Sequence, residues 1–422
     1  MKSVIPGVLR DEPQFARLFI GQSLSVLGDR VSFVAVPFAV LSVGGSASDV
    51  GLVTAAALVP TLLFTLVGGV WADRFRRHRI MLLSDLVRFA AQGLIAVLLL
   101  TGAAEVPHLV LLLIVFGTAD AFFMPASTGL LPLVVAPDRL REANALRAFV
   151  QSSGLVVGPA LAGGLTALAG PGGALALDAL TFAVSAAFLA RLKPRATDPG
   201  TARPATAPAF LAELRAGWAQ VRSRTWVWSG IAAIAVYHVV VLPSVFVLGP
   251  VLAEDEWGGA ASWSVVVAAF GVGSVAGDVC AYRLKIERPM ALAAAALAVA
   301  SCQAVIIGSG GTVALIAALL SRVSSYDYLM SAGLMPLGLA LAGPVSQAFG
   351  VRPTLYAMTI IGVPAAVALL CVPAVRRLPA HPEGAGDGAA SPTAHRDEGS
   401  RSGSPERDPS HDDARHAERA GG

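Results

Sequence analysis

The segment Gly68–Met81 reads GGVWADRFRRHRIM. Asp73 and four arginines, Arg74, Arg76, Arg77 and Arg79, crowd into seven residues. On both sides lie apolar runs long enough to cross a bilayer as helices of about 20 residues. Charge is costly in hydrocarbon, so a cluster this dense between two such runs reads as a connection in water, beside the headgroups.

Composition agrees. Of 422 residues, 55% are apolar and 14% charged, and mean hydropathy is +0.68; an ordinary soluble domain carries about 25% charge. The net charge of +3 gives no electrostatic basis for binding nucleic acid. Lysine occurs only at Lys2, Lys193 and Lys285, and none follows glycine, which excludes a P-loop nucleotide motor. Cys280, Cys302 and Cys371 have no metal spacing and suggest no disulfide framework. No catalytic nucleophile–base set stands out, so an enzyme is not expected, nor any metal or cofactor.

Apolar runs predict crossings at about 16–43, 50–72, 80–102, 108–130, 146–169 and 172–192, then at about 226–250, 259–281, 289–308, 311–320, 328–349 and 353–375. Arginine and lysine orient them. The even connections hold Arg74–Arg79, Arg139 and Arg141, Arg191–Arg224, Arg283–Arg288, and Arg322; the odd ones together hold Arg352 alone. The positive-inside bias puts the even connections and both termini in the cytoplasm. The tenth span is short. Between Arg288 and Arg322 lie 33 residues without a charge, whereas two crossings need about 40 apolar residues and a turn. A half-length tenth helix is expected, with the twelve-span topology otherwise kept.

The chain divides into a six-helix half at 1–192, a linker at 193–225, a second half at 226–377 with shortened spans nine and ten, and a tail at 378–422. The linker closes on a basic amphipathic stretch, FLAELRAGWAQVRSRTW, suited to the inner membrane surface. The tail, rich in Gly, Ser, Pro and charge, is expected to be disordered, and HDDARH within it reads as a chance pattern rather than a metal site. The halves echo each other: GLVVGPALAGG in span five, with Gly154, Gly158, Pro159, Gly163 and Gly164, matches GLALAGPVSQAFG in span eleven. Parallel six-span repeats are one plan for secondary transporters.

These features together resemble the major facilitator superfamily over residues 15–375. The opening segment is similar to its signature between spans two and three, Gly-x-Leu-Ala-Asp-Arg-x-Gly-Arg-Lys, with Trp71 and Arg76 departing from it. The glycine-proline run of span five resembles the antiporter motif of its drug exporters. SVLGD, FFMPAS, LLPLV, ANAL and RVSSYD resemble its macrolide-efflux and enterobactin-exporter branch. The resemblance implies an all-α polytopic membrane protein with the major facilitator fold, two six-helix halves. It implies a cytoplasmic gate at Gly69, Asp73, Arg74 and Arg77, where topology alone would also explain the arginines. It implies a cavity-sealing role for Gly154, Gly158, Pro159 and Gly163, where close helix packing is the plainer reading.

Ionisable residues inside spans are functional candidates. Asp29 lies deep in span one, and its neighbour Arg30 points about 100° away around the helix. Asp29 is the first candidate for proton coupling and Asp120 the second. Asp85 and Arg88, three apart, read as a structural pair. Asp178 and Asp278 read as helix-end caps. His238 reads as an interior histidine, and with Arg30 it is a further candidate for the cavity. The expected function is secondary active efflux of amphipathic small molecules (drug-, macrolide- or siderophore-like) by proton antiport and alternating access, with the proton gradient as energy source. The alternative is a degenerate, internally deleted relative with little or no transport. The expected setting is a bacterial inner membrane, with lipid around a monomer, a small-molecule substrate and no nucleic acid.

Overall fold

A computed structural model describes residues 6–195, 215, 218, 222–283, 289–317 and 335–376, apart from the side chains of 66–74, 278, 281–282 and 289. Among them, nine helical stretches are long and apolar enough to cross a membrane. The first half holds α1 (Gly7–Asp11), α2 (Pro13–Ser42), α3 (Ala47–Arg74), α4 (Arg77–Leu100), α5 (Val106–Val134) and α6 (Leu140–Ala190). The long α6 is two crossings. Gly170 takes φ 69° and ψ 174°, a conformation suited to glycine, with Pro171 beginning the next helical run. The chain turns back there, where the sequence places the odd connection AGPGG.

The second half starts with α7 (Thr225–Val236), which loosens into two π-helical segments, Tyr237–Val241 and Ser244–Leu248, before α8 (Gly249–Glu256) finishes the crossing. Pro243 lacks an N–H and lies between the two π-helical segments, where the α-helical ladder gives way, and Pro250 sits in the first turn of α8, where it resumes. Next come α9 (Ala260–Arg283), α10 (Pro289–Ala300) and α11 (Gln303–Gly308), then α12 (Met335–Phe349), α13 (Val351–Cys371) and α14 (Pro373–Arg376). The predicted ninth span is thus broken at Ser301–Cys302. Of the predicted tenth span at 311–320, residues 311–312 are not helical, residues 313–317 are helical, and 318–320 lie outside the described residues. Most of the linker stretch and all of the tail also lie outside them.

Local signals set several helix starts. Ser46 and Asp49 cap α3: the Asp49 carboxylate accepts from the Ser46 backbone N–H at 2.8 Å and from its hydroxyl at 2.7 Å. Glu105 and His108 form the corresponding box at α5. Arg352, the one cation of the odd connections, is paired with Glu256 at 2.6 Å, so that end of the molecule gains little net positive charge from it.

Three apolar clusters show how the halves meet. One joins both halves. It takes Val31–Val40 from α2, Ala47–Ala55 from α3, Ile95 and Ala96 from α4, Tyr237–Ala253, Trp263–Val267 from α9, and Leu339 and Ala342 from α12. All of these lie toward the arginine-poor end. The second cluster (Val8, Phe15, Leu18, Met81, Leu130, Val134) belongs to the first half alone. The third (Ala233, Ala294, Leu369, Val375) belongs to the second half alone. These last two lie toward the arginine-rich end. The halves therefore share a core at one end and keep separate cores at the other. Glycines make the shared closure tight. At Gly51 a Cβ would run into the Leu339 carbonyl, at Gly343 into the Ser48 backbone, and at Gly271 into the Leu155 carbonyl.

Candidate functional site

The first half carries a polar seam inside its bundle. On α4, Asp85, Arg88 and Gln92 follow at steps of three and four, which stacks them on one face. All three are buried: Asp85 0%, Arg88 1% and Gln92 0% exposed. Neighbouring helices bring their own polar groups. Arg88 donates to Asp85 through Nη2 and to Asp120 Oδ1 of α5 through Nη1, the latter at 3.1 Å. The guanidinium is flanked by the rings of Phe123 and Phe182, whose centroids lie 4.0 and 4.5 Å away. Cation–π contact of this kind is worth up to about 2 kcal/mol when desolvated. Gln92 Nε2 donates to Ser32 Oγ of α2 at 2.6 Å and to Asp178 Oδ2 of α6 at 2.9 Å. Asp29 on α2 is half-buried, within electrostatic reach of Arg88, Asp120, Arg30 and Asp85.

The seam thus gathers four carboxylic acids, Asp29, Asp85, Asp120 and Asp178, around Arg88, with Arg30 nearby. Arg30 leans elsewhere. Its Nη2 donates to Gln151 at 3.4 Å, and its aliphatic stem crosses Gly158, with Gly154 one turn away. A side chain at Gly158 would occupy the space of the Arg30 Cβ. If every acid were ionised, two negative charges would remain even with Arg30 counted beside Arg88, and at the fully buried Asp85 and Asp178 such charge is costly without further partners.

The structure sorts the predicted residues as follows. Asp85, Arg88 and Asp120 are joined by hydrogen bonds, and Asp29 lies within electrostatic reach of them. Asp178, expected as a helix-end cap, is instead fully buried more than two turns past the Gly170 break. That expectation is corrected: the residue belongs to the seam. Within the antiporter motif, Gly154 and Gly158 face α2, whereas Gly163 faces Ser264 and Ala261 of α9 in the other half. Pro159 is buried inside α6. Arg77, the first residue of α4, donates to the Gly129 carbonyl of α5, a contact within the first half. The side chains of Gly69, Asp73, Arg74 and Asp278 lie outside the described residues. His238 is buried in the first π-helical segment of the second half, and its Nδ1 has no hydrogen-bond partner. The structure does not join it to the seam. Sequence reading missed Gln92, Ser32, Phe123 and Phe182. The periodic step from Asp85 through Arg88 to Gln92 is the signal that points to Gln92.

Known proteins support a transporter. The multidrug efflux pump Tap of Mycobacterium tuberculosis is 27% identical over 406 residues, covering 88% of this chain and 96% of that protein. Macrolide efflux protein A of Streptococcus pyogenes is 24% identical over 246 residues, covering 58% and 60%. Among solved structures, the nucleoside transporter NupG superposes with a TM-score of 0.63 at 11% identity, covering 85% of this chain and 98% of its own. A bacterial homologue of the iron transporter ferroportin, in an inward-facing state, superposes with a TM-score of 0.59 at 19% identity, covering 85% and 98%. At these identities the superpositions establish the fold alone. The family model for the Major Facilitator Superfamily matches residues 18–335. That span reaches from the first crossing to the start of α12 and takes in the whole polar seam, and the chain belongs to the Major Facilitator Superfamily.

Proposed function

We propose that this protein is a secondary active exporter that expels amphipathic small molecules in exchange for protons. The carrying observation is the seam. Four buried or half-buried acids lie around Arg88, which pairs with only two of them, Asp85 and Asp120, an arrangement in which a proton is the simplest means of balancing charge. The names of the efflux relatives support drug-like cargo. The cleft implied by the separate cores lies between the halves, where this architecture places its substrate sites. Asp29 takes up and releases the coupling proton, because it is the acid that keeps partial exposure without an ion pair of its own. Asp120 is the second coupling group and works through Arg88. With the arginine-rich end facing the cytoplasm, the packing of α3 on α12 and α6 on α9 supports reading this arrangement as inward-open, sealed on the outside. Transport needs the reverse arrangement, in which the inner ends close.

The test compares wild type with Asp29→Asn in everted membrane vesicles at matched protein abundance. Respiration-driven uptake of a cationic dye is expected in wild type, collapsing on addition of a protonophore, and absent in the variant. Uptake by the variant at the wild-type rate would remove Asp29 from the mechanism. Absence of proton-driven uptake for wild type across a panel of amphipathic dyes would instead favour the degenerate-relative reading, which the shortness of the stretch from 289 to 321 supports.

A further inference from the structure

The end of the polar seam farthest from Asp85 holds an unusual pair. Gln92 and Asp178 are both fully buried. They are joined on one side by the Gln92 Nε2 bond to Asp178 Oδ2 at 2.9 Å. Each also keeps a buried acceptor with no partner, Oε1 of Gln92 and Oδ1 of Asp178. No Lys, Arg or His among the described residues makes an ion pair with Asp178; Arg88, the nearest cation, spends its two terminal nitrogens on Asp85 and Asp120. The charged groups facing Asp178 are Asp29 from α2 and Arg88 from α4, with Ser32 and Gln92 as its polar neighbours. Gly28 leaves no room between α2 and this carboxyl, since a Cβ there would strike Asp178 Oδ1 and the Thr181 side chain. On that side α2 closes the carboxyl to water.

The two groups are already joined by one hydrogen bond, and each keeps one buried acceptor that a single added proton would satisfy. We propose that Asp178 carries a proton on Oδ1, shared with Gln92 Oε1 in an acid–amide pair, and that it is a second proton-carrying carboxyl of the transport cycle. The pair closes as two antiparallel hydrogen bonds, Gln92 Nε2–H to Asp178 Oδ2 and Asp178 Oδ1–H to Gln92 Oε1. One proton thereby satisfies both buried atoms and removes an unpaired charge from the bundle. Release is a single proton transfer. The O–H bond at Asp178 breaks, the proton passes to the Asp29 carboxylate on the adjoining helix face, and Asp178 is left as a carboxylate held by Gln92 Nε2 and the Ser32 hydroxyl. Asp29, half-buried, passes the proton to water in the cleft. Reloading runs the same step backwards in the outward-open state. The role in transport rests on the antiport reading; the protonation rests on the geometry of the pair alone.

Asp178→Asn tests this, because asparagine mimics the neutral acid and can donate to Gln92 Oε1 in the same geometry. The variant is expected to reach wild-type abundance and to keep substrate binding and substrate–substrate exchange in proteoliposomes. Its proton-driven efflux is expected to fall by about tenfold or more. Proton-driven efflux at the wild-type rate and with the wild-type pH profile would overturn the inference, and if Asp29→Asn is inactive in the same assay, antiport survives while this role for Asp178 does not. Should Asp178→Asn fail to accumulate, infrared difference spectroscopy on wild type and Gln92→Met decides. A protonated-carboxyl band that shifts on loss of the amide supports the pair, and a spectrum without such a band at neutral pH refutes it.

Discussion

Gly163 and Gly164 are adjacent, yet only the first should respond to alanine with a change in transporter conformation. A Cβ at Gly163 would lie 2.6 Å from the Ser264 Cβ and 2.7 Å from its Oγ, across the contact between the halves. Ordinary carbon–carbon contact needs about 1 Å more. Ser264 is 2% exposed, so it cannot simply swing away, and α6 and α9 must part. Overpacking of this kind costs about 1–3 kcal/mol. The cost falls only on the state in which these helices touch, so Gly163→Ala should shift the balance between inward-open and outward-open forms by about 5–150-fold. At Gly164 a Cβ meets nothing within 4 Å. There alanine adds only helix propensity, about 1 kcal/mol, to both states alike. The reporter is Ala47→Cys, 8% exposed in the shared apolar cluster, with Cys280, Cys302 and Cys371 replaced by serine. Labelling by a membrane-impermeant maleimide in intact cells should accelerate in Gly163→Ala and remain unchanged in Gly164→Ala. Equal labelling of the two variants would refute the assignment of this contact as the outer seal.

Other outcomes follow from the same reasoning. Arg88→Met strands the buried Asp85 and should cost about 3–5 kcal/mol, read as lost membrane abundance or a lower Tm in detergent; adding Asp85→Asn should restore part of it, and full stability of the single variant would contradict the seam. Asp11, outside the membrane, is held below the usual carboxylate value, first by the hydrogen bond from Arg10 and then by that from Arg139. A lowered value stabilises at neutral pH and is lost as the pH falls below about 4, so the small Tm difference between wild type and Asp11→Asn should vanish in acid, and a difference that grows there would contradict the pairing. Removal of residues 379–422, a polar stretch poor in apolar side chains, should leave insertion and efflux intact, and loss of abundance would argue against that. A protease-sensitive tag on the C-terminus should stay protected in intact cells; cleavage would mean that an odd number of crossings separates it from Arg74–Arg79.

Much of the fold was legible because lipid imposes so few solutions. Apolar runs of the required length, interrupted by arginine at alternate connections, locate the crossings of the first half to within a few residues, and AGPGG marks the turn that Gly170 makes. Irregularities were less readable. Pro243 marks VYHVVVLPSVFVL, but Pro37, Pro60, Pro125 and Pro159 sit inside ordinary α-helices, so proline alone does not announce the π-helical turns of 237–248, where Gly338 of α12 lies on the Val239 backbone. The site was legible only in part. Asp85 and Arg88 declare themselves by spacing, but that Asp120 completes their network depends on how α5 is rotated against α4. Asp178 reads as a helix cap even though the span expected at 172–192 already sets it well over one turn inside its helix. Only the close approach of α2 at Gly28 shows that the residue is walled off from water. The same approach explains Arg30, whose stem lies in a groove that the absent side chains of Gly154 and Gly158 leave open.

The central claim is that protons and substrate exchange through the acids of the first half. Its most direct test is proton movement itself. Purified protein is reconstituted into proteoliposomes containing a pH-sensitive dye, with a pH gradient imposed and an amphipathic substrate added. The account predicts substrate-dependent dissipation of the gradient by wild type and none by Asp29→Asn at equal reconstitution. Substrate movement in wild type with no accompanying proton flux, or equal proton flux in the variant, would contradict it.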